Sequence, residues 1–281
     1  MRNRTACLSR GGNPVTHALA HQYVFDNDGD HSADQHRCLA DLLDPLTFGR
    51  LAQTGVGDGW NCLEIGAGGG SVARWLAGRV APRGHVFATD IKPGLIPACD
   101  GLTVTRHDIV HDPLPPAAFD LVHARLVLSH LPERAAVLAR LRDALRPGGW
   151  LQVDEIDVTH WPALLAPDHG SRELYETFLR AMASVLVGVG SDPTWGRSAA
   201  QEIAQAGFTQ IDPWCHVEVW GPKSPGLELL TSNSFHLEDH FLATGLTRDQ
   251  LDEVRAVMAD PGFRAVSFTV HSVLARRPEE T

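Results

Sequence analysis

Residues 62–70, Cys-Leu-Glu-Ile-Gly-Ala-Gly-Gly-Gly, restrict this chain more than any other stretch: a short apolar run with one acid, then four glycines within five positions. An apolar run of that length that breaks into glycine reads as a buried strand ending in a turn. Ser71 then opens SVARWLAGRV, an amphipathic helix. Strand, glycine loop and helix N-terminus in that order make a platform for a nucleotide-like ligand. Glycine lets the backbone approach the ligand, and the helix offers free N–H groups at its positive end.

From residue 59 onward strands and helices alternate. Strands are expected at 60–65, at 85–90 ending in Asp90, at 102–108 ending in Asp108, at 119–124 and at 150–155. A helix from Pro132 places Val137, Leu138, Leu141 and Leu145 on one face, and Arg146-Pro147-Gly148-Gly149 stops it. Alternation at this spacing implies a parallel sheet with right-handed crossovers and a ligand crevice at the carboxyl ends of its strands. A helix over 172–186 is surplus to the sheet and reads as a lid or substrate-pocket insertion. A helix over 197–207, a strand within 208–220 with Pro213 at an edge or bulge, helices near 225–244 and 247–258, and a last strand within 265–277 complete the pattern.

The N-terminal part is organised differently. Residues 1–14 read as a loose tail, and Tyr23 and Phe25 in the segment that follows need something to pack on. Ser32 with Gln35 forms a capping-box pattern, Leu39, Leu42 and Leu43 recur at helical spacing, and Asp44-Pro45 is expected to start a second short helix through Leu51. The expected organisation is a tail and helical cap over 1–58, and a core over 59–281 with helical insertions at about 156–190 and 224–258, in one compact unit.

The formal charge of −10 argues against a nucleic-acid or anionic-membrane partner, either of which calls for a basic face. The sequence contains no apolar stretch of about 18 residues, and its first twelve residues do not read as a signal peptide. Cys7, Cys38, Cys62, Cys99 and Cys215 are scattered without a CxxC pair, as in a reduced, cytoplasmic protein. The histidine pairs His107/His111 and His236/His240 lack a third ligand at a telling distance, and HLEDH is not HExxH, so no metal is expected.

Glycines at 66, 68 and 70 give GxGxG, with Ser71 where a dinucleotide fingerprint would carry its third glycine. Together with Glu64, Asp90, Asp108 and the Arg-Pro-Gly-Gly turn, they resemble the class I S-adenosylmethionine-dependent methyltransferases, strongly over residues 60–155 and by layout elsewhere. The resemblance implies an α/β, Rossmann-like, doubly wound seven-stranded sheet of order 3-2-1-4-5-7-6, with the last strand antiparallel and extra helices in the N-terminal and C-terminal parts. The implied cofactor is S-adenosyl-L-methionine, leaving as S-adenosyl-L-homocysteine. Carried over by position, Gly66, Ala67 and Gly68 face its methionine and ribose, and Asp90 accepts from the ribose hydroxyls. Ile91 packs on adenine, Asp108 accepts from the adenine amino group, and Ala124 and Arg125 line the methionine end. Glu64, His107 and Ile109 complete the implied set, and Tyr23 is the candidate to close over it. For Arg125 a structural ion pair is the alternative, and for Asp90 and Asp108 a turn-forming role.

Catalytic candidates are His236 as a general base, Tyr23 and Glu155; Trp195, Trp161 and His236 are the substrate candidates. The reaction expected is methyl transfer to O, N or C of a small molecule, an aromatic or indole-containing secondary metabolite. A homodimer is the assembly allowed for. Two other readings stand beside it: a protein of this fold that binds the cofactor without methyl transfer, as a cyclase or binding module, and an NAD-dependent oxidoreductase, against which Ser71 counts.

Overall fold

The computed structural model describes residues 32–279; Tyr23 and the rest of the segment before Ser32 lie outside the described residues. With elements numbered in chain order, the main sheet comprises β1 (Asn61–Ile65), β2 (His85–Asp90), β3 (Leu102–Arg106), β4 (Phe119–Arg125), β5 (Leu145–Asp157), β7 (Thr209–His216) and β10 (Thr269–Arg276). Their order is β3-β2-β1-β4-β5-β10-β7. Neighbours from β3 to β5 are parallel, and β10 runs antiparallel to both β5 and β7. This is the 3-2-1-4-5-7-6 arrangement with an antiparallel last strand.

The central strands are buried on both faces, so they read as apolar runs rather than alternating ones. α2 (Ser71–Val80) buries Val72, Ala73, Leu76, Ala77 and Val80, and α3 (Arg134–Ala144) buries Val137, Leu138, Leu141 and Ala144. The register pairs Ile65 with Thr89 and with Ala124, and Arg125 with Asp154, which brings the carboxyl ends of β1, β2, β4 and β5 together. Any ligand crevice must open there.

A cap covers that end. It consists of α1 (Ser32–Gln53), α4 (His169–Gly188), α6 (Pro225–His236), α7 (Glu238–Ala243) and α8 (Arg248–Ala259). A second, three-stranded sheet joins it, in which β9 (Arg264–Val266) lies between β6 (Ala163–Leu165) and β8 (Val219–Trp220). Tyr175 packs edge-on against Phe263, Phe178 lies against Phe241, and Trp161, Trp220 and Phe268 form a trio with centroids 5.0–6.1 Å apart. The sequence gives no sign of this small sheet, because strands of two or three residues carry no readable period.

Two helices expected before Gln53 prove to be one, with Pro45 inside it. A proline in a helix interior removes one hydrogen bond and crowds the carbonyl four residues back, a cost of about 3 kcal/mol. Here Pro45 and Asp41 both lie on the exposed side of the helix, where a freed carbonyl costs least. The halves on either side are each held: Cys38, Leu42 and Leu43 in the cap core, Leu51 in the sheet core. Gln35 in the first turn of α1 donates from Nε2 to Asn233 Oδ1 at 3.1 Å, tying α1 to α6.

Beneath α1 lies a buried ionic row. His123 on β4 sits between Glu64 on β1 (Nδ1 to Oε2 2.7 Å) and Asp154 on β5 (Nε2 to Oδ2 3.2 Å). Thr47 of α1 donates to Asp154 Oδ2 at 2.8 Å, and Gln152 Nε2 donates to the same carboxylate. Burial alone would push the imidazole down, but the two carboxylates outweigh it and raise His123 to about 9. The row is therefore carboxylate, imidazolium, carboxylate at neutral pH.

Two outcomes follow for unfolding in urea. His123→Leu, which leaves two carboxylates facing each other without a cation, is expected to cost about 3–5 kcal/mol. Because the folded pKa of about 9 exceeds the unfolded 6.5, the His123 contribution is complete below about pH 6.5 and disappears as pH rises through about 9. The wild-type midpoint should decline across that window, and the decline should shrink in the His123 variant.

Candidate functional site

Where the carboxyl ends converge, a cavity of about 1070 Å³ runs between the sheet and the cap. Pockets for small ligands fall at roughly 300–1,000 Å³, so this one has room for a nucleoside-sized cofactor and a second small molecule.

The glycine loop forms one wall. Gly66, Gly68 and Gly70 have φ of +64°, +52° and +75°, in the left-handed region that side chains resist. A Cβ at Gly66 would come within 2.4 Å of Val127 Cγ2, and one at Gly68 within 2.7 Å of the His36 ring. The loop thus lies bare because neighbours occupy the space a side chain would need. Asp90 closes it: its Oδ2 accepts from the Gly68 N–H at 2.9 Å and its Oδ1 from the Lys92 N–H at 2.8 Å. The carboxylate is fixed by backbone at a strand end, with lone pairs left for vicinal hydroxyls on the cavity side.

Ile91, His107, Asp108 and Ile109 continue the same wall. Ile91 presents 47% of its surface, unusual for isoleucine and suited to a flat ring. The Asp108 side chain receives the Val110 N–H and His111 Nδ1. Burial pushes its carboxyl up, and these donors outweigh burial to hold it below the usual range. His107 Nδ1 is buried without a hydrogen-bond partner. Arg125 lines the cavity too, but its guanidinium pairs with Asp44 of α1 at 2.9 Å and reaches Thr47 and Ser71 Oγ. The structural ion pair, one of the two readings of this residue, is present.

The opposite half is apolar. Trp161, Met182, Leu186, Leu229, Leu230 and Phe268 line it, with the Gln35–Asn233 amide pair between α1 and α6. Ser129 and His130, on a short 3-10 turn after β4, stand between the two halves in sequence order and belong to the same lining. Burial drives His130 down to about 4 and lowers His36 as well, against the pull of Asp90, so both rings are neutral near pH 7.

Five expected site residues lie elsewhere. Glu64 does not line the cavity, because its carboxylate is locked to His123. Ala124 is fully buried within β4, one residue short of the cavity-lining Arg125. Trp195 is core: 1% exposed, its Nε1 donating to Glu202 and the Arg134 guanidinium 5.5 Å from its ring centroid. His236, at the end of α6, is absent from the cavity lining. Glu155 is buried behind the lining, where burial raises it to about 7 although backbone N–H groups pull it down. Conversely, His36, His130, Met182, Asn233 and Phe268 had not been singled out. Only His130 carried a signal, being just past a strand at its carboxyl end; the others arrive through tertiary packing. Among the described residues no group of three or more His, Cys, Asp or Glu could hold a metal, and no helix is long and apolar enough to cross a membrane.

A bare glycine loop, a strand-end carboxylate, an exposed isoleucine and an unpaired ring nitrogen fit a nucleoside-bearing cofactor on a doubly wound sheet. Residues 63–151 match the methyltransferase domain family. Methyltransferase str3 of Strobilurus tenacellus is 31% identical over 216 residues, which cover 73% of this chain and 75% of that protein. The ubiquinone/menaquinone biosynthesis C-methyltransferase UbiE of Ralstonia nicotianae is 30% identical over 162 residues, 55% of this chain and 63% of UbiE. Among solved structures, Haemonchus contortus phosphoethanolamine N-methyltransferase 2, bound to S-adenosylhomocysteine and phosphomonomethylethanolamine, superposes with a TM-score of 0.58 at 16% identity, over 93% of this chain and 61% of that one. The chain belongs to the class I S-adenosylmethionine-dependent methyltransferases. It is a methyltransferase with S-adenosylmethionine as cofactor, and the NAD-dependent reading falls.

Gly66→Ala should be poorly tolerated, since the new methyl meets Val127 and the backbone sits at positive φ. A loss of about 1–3 kcal/mol in urea unfolding is expected, larger than for Gly78→Ala in α2, where a Cβ meets nothing within 4 Å.

Proposed function

We propose that this enzyme methylates a neutral, largely apolar aromatic small molecule, at O, N or C. The observation that carries this reading is the continuity of one cavity from the glycine loop into a chamber walled by Trp161, Met182 and Phe268. Aromatic and thioether walls suit a planar acceptor, and such a chamber excludes water from the transfer. The name of UbiE, a C-methyltransferase of ubiquinone and menaquinone biosynthesis, supports an acceptor of that kind.

In this reading Asp90 holds the ribose, Gly66 and Gly68 let the cofactor approach the loop, Ile91 packs on adenine, and Asp108 and His107 meet the adenine edge. Bound there, S-adenosylmethionine supplies an electrophilic methyl group on its sulfonium. The chain's own task is then to orient the acceptor in line and keep water out. For a protic acceptor, His130 and His36 are the imidazoles that line the cavity. Helix α1 with the segments at about 156–190 and 224–258 forms the acceptor lid. Tyr23 keeps its proposed role of closing the cofactor side. The setting is cytoplasmic secondary metabolism, with a net charge of −10 favouring a small partner over nucleic acid or membrane. A homodimer is the proposed assembly.

Asp90→Ala is expected to weaken S-adenosylhomocysteine binding by more than about tenfold in calorimetry, the scale of losing charge-assisted hydrogen bonds. A panel of phenols, quinols and indoles, with phosphoethanolamine as the charged control, tests the acceptor. Turnover to S-adenosylhomocysteine with the aromatic set alone is the expected result. Turnover only with the charged control would overthrow the assignment.

A further inference from the structure

Glu155 stands at the carboxyl end of β5, 1% exposed, and its Oε1 accepts three consecutive backbone N–H groups: Val127 at 3.2 Å, Leu128 at 2.9 Å and Ser129 at 3.3 Å. Its Oε2 is buried and has no hydrogen-bond partner. A buried carboxyl is costly unless donors meet it, and here three successive N–H groups converge on one of its oxygens.

The turn so held is where the cavity's parts meet. Leu126, just before it, has φ +56°, a strained value for leucine, so the chain reverses sharply as it leaves β4. Val127 fills the space beside Gly66. Val127, Ser129, His130 and Leu131 line the cavity, and the Ser129 carbonyl accepts the Asp192 N–H at 2.8 Å, linking the turn to cap residues 191–193 on the same wall. Moving the turn would move the glycine loop's neighbour and the acceptor wall together.

We propose that Glu155 is a positioning residue for methyl transfer, its carboxylate fixing the 127–130 turn against the glycine loop so that cofactor and acceptor walls share one anchor. It touches neither reactant and acts through the backbone it holds. The proposal rests on the cavity being the methyl-transfer site.

Hydrogen exchange of the 127–129 amides without ligand, and calorimetry with S-adenosylhomocysteine, test it in parallel. Glu155→Leu removes the acceptor and keeps the bulk. Exchange at 127–129 should accelerate about tenfold or more, with β1 amides unchanged, and S-adenosylhomocysteine should bind about tenfold more weakly. Glu155→Gln, whose carbonyl oxygen can accept the same N–H groups, should restore both readouts to within about threefold of wild type. If Glu155→Leu does not fold, Glu155→Asp replaces it, its carboxyl one methylene short of those N–H groups, and should shift both readouts the same way. Wild-type exchange in the folded variant, or weakened binding with the 127–129 amides still protected, overturns the proposal. Failure of the wild type itself to bind S-adenosylhomocysteine would refute the site instead and leave the exchange result to judge Glu155.

Discussion

The row formed by Glu64, His123 and Asp154 is the constraint on which the rest of the structure leans. Three ionisable groups on three neighbouring strands, all removed from water, are tolerable only at hydrogen-bond distance and only with the imidazole charged. That requirement fixes the register of β1, β4 and β5 at the level where their carboxyl ends stop. Asp154 also receives Thr47 and shares Gln152, so α1 is pinned to the same row. Arg125 with Asp44 adds a second tie one turn nearer the cavity, and Arg50 with Asp212 a third toward β7. A helix with a proline inside it is thus held over the crevice by polar ties in three places.

The two halves of the cavity are built on different physics, and this explains how unequally the sequence displayed them. The glycine-loop half depends on backbone: positive-φ glycines, N–H groups and a strand-end acid. Such features follow chain order and were legible as Gly66, Gly68, Asp90 and Asp108. The same reasoning misplaced Glu64, because an acid before a glycine loop looks identical whether it faces a ligand or a buried histidine on the neighbouring strand. Trp195 misled for a related reason: a large aromatic in an irregular segment reads as a pocket wall, yet here its ring closes the core under Arg134. The apolar half depends on side chains from α1, α4, α6 and the stretch around Phe268, which are distant in sequence. No local period points Met182 toward Asn233.

The fold itself was more accessible than the cap. Alternating apolar strands and amphipathic helices over 60–155 can satisfy their backbone in only a few ways, right-handed crossovers reduce these to a handful, and the family resemblance supplied the sheet order. In the cap, long-range packing overrides local signals. Pro45 should end a helix and does not, since it lies on the exposed side and both flanks are anchored. Gln35 takes an amide partner in α6, which no local pattern announces.

The small sheet β6-β9-β8 draws its three strands from residues 163–165, 264–266 and 219–220, so the cap is one woven piece rather than separate flaps. Each strand is too short to persist alone. Acceptor preference in this architecture therefore does not travel as a cassette. A graft of α4 or of α6 with α7 from a relative would arrive without its partners in the weave, and new selectivity must come either from exchanging all three segments at once or from single changes on a wall left intact.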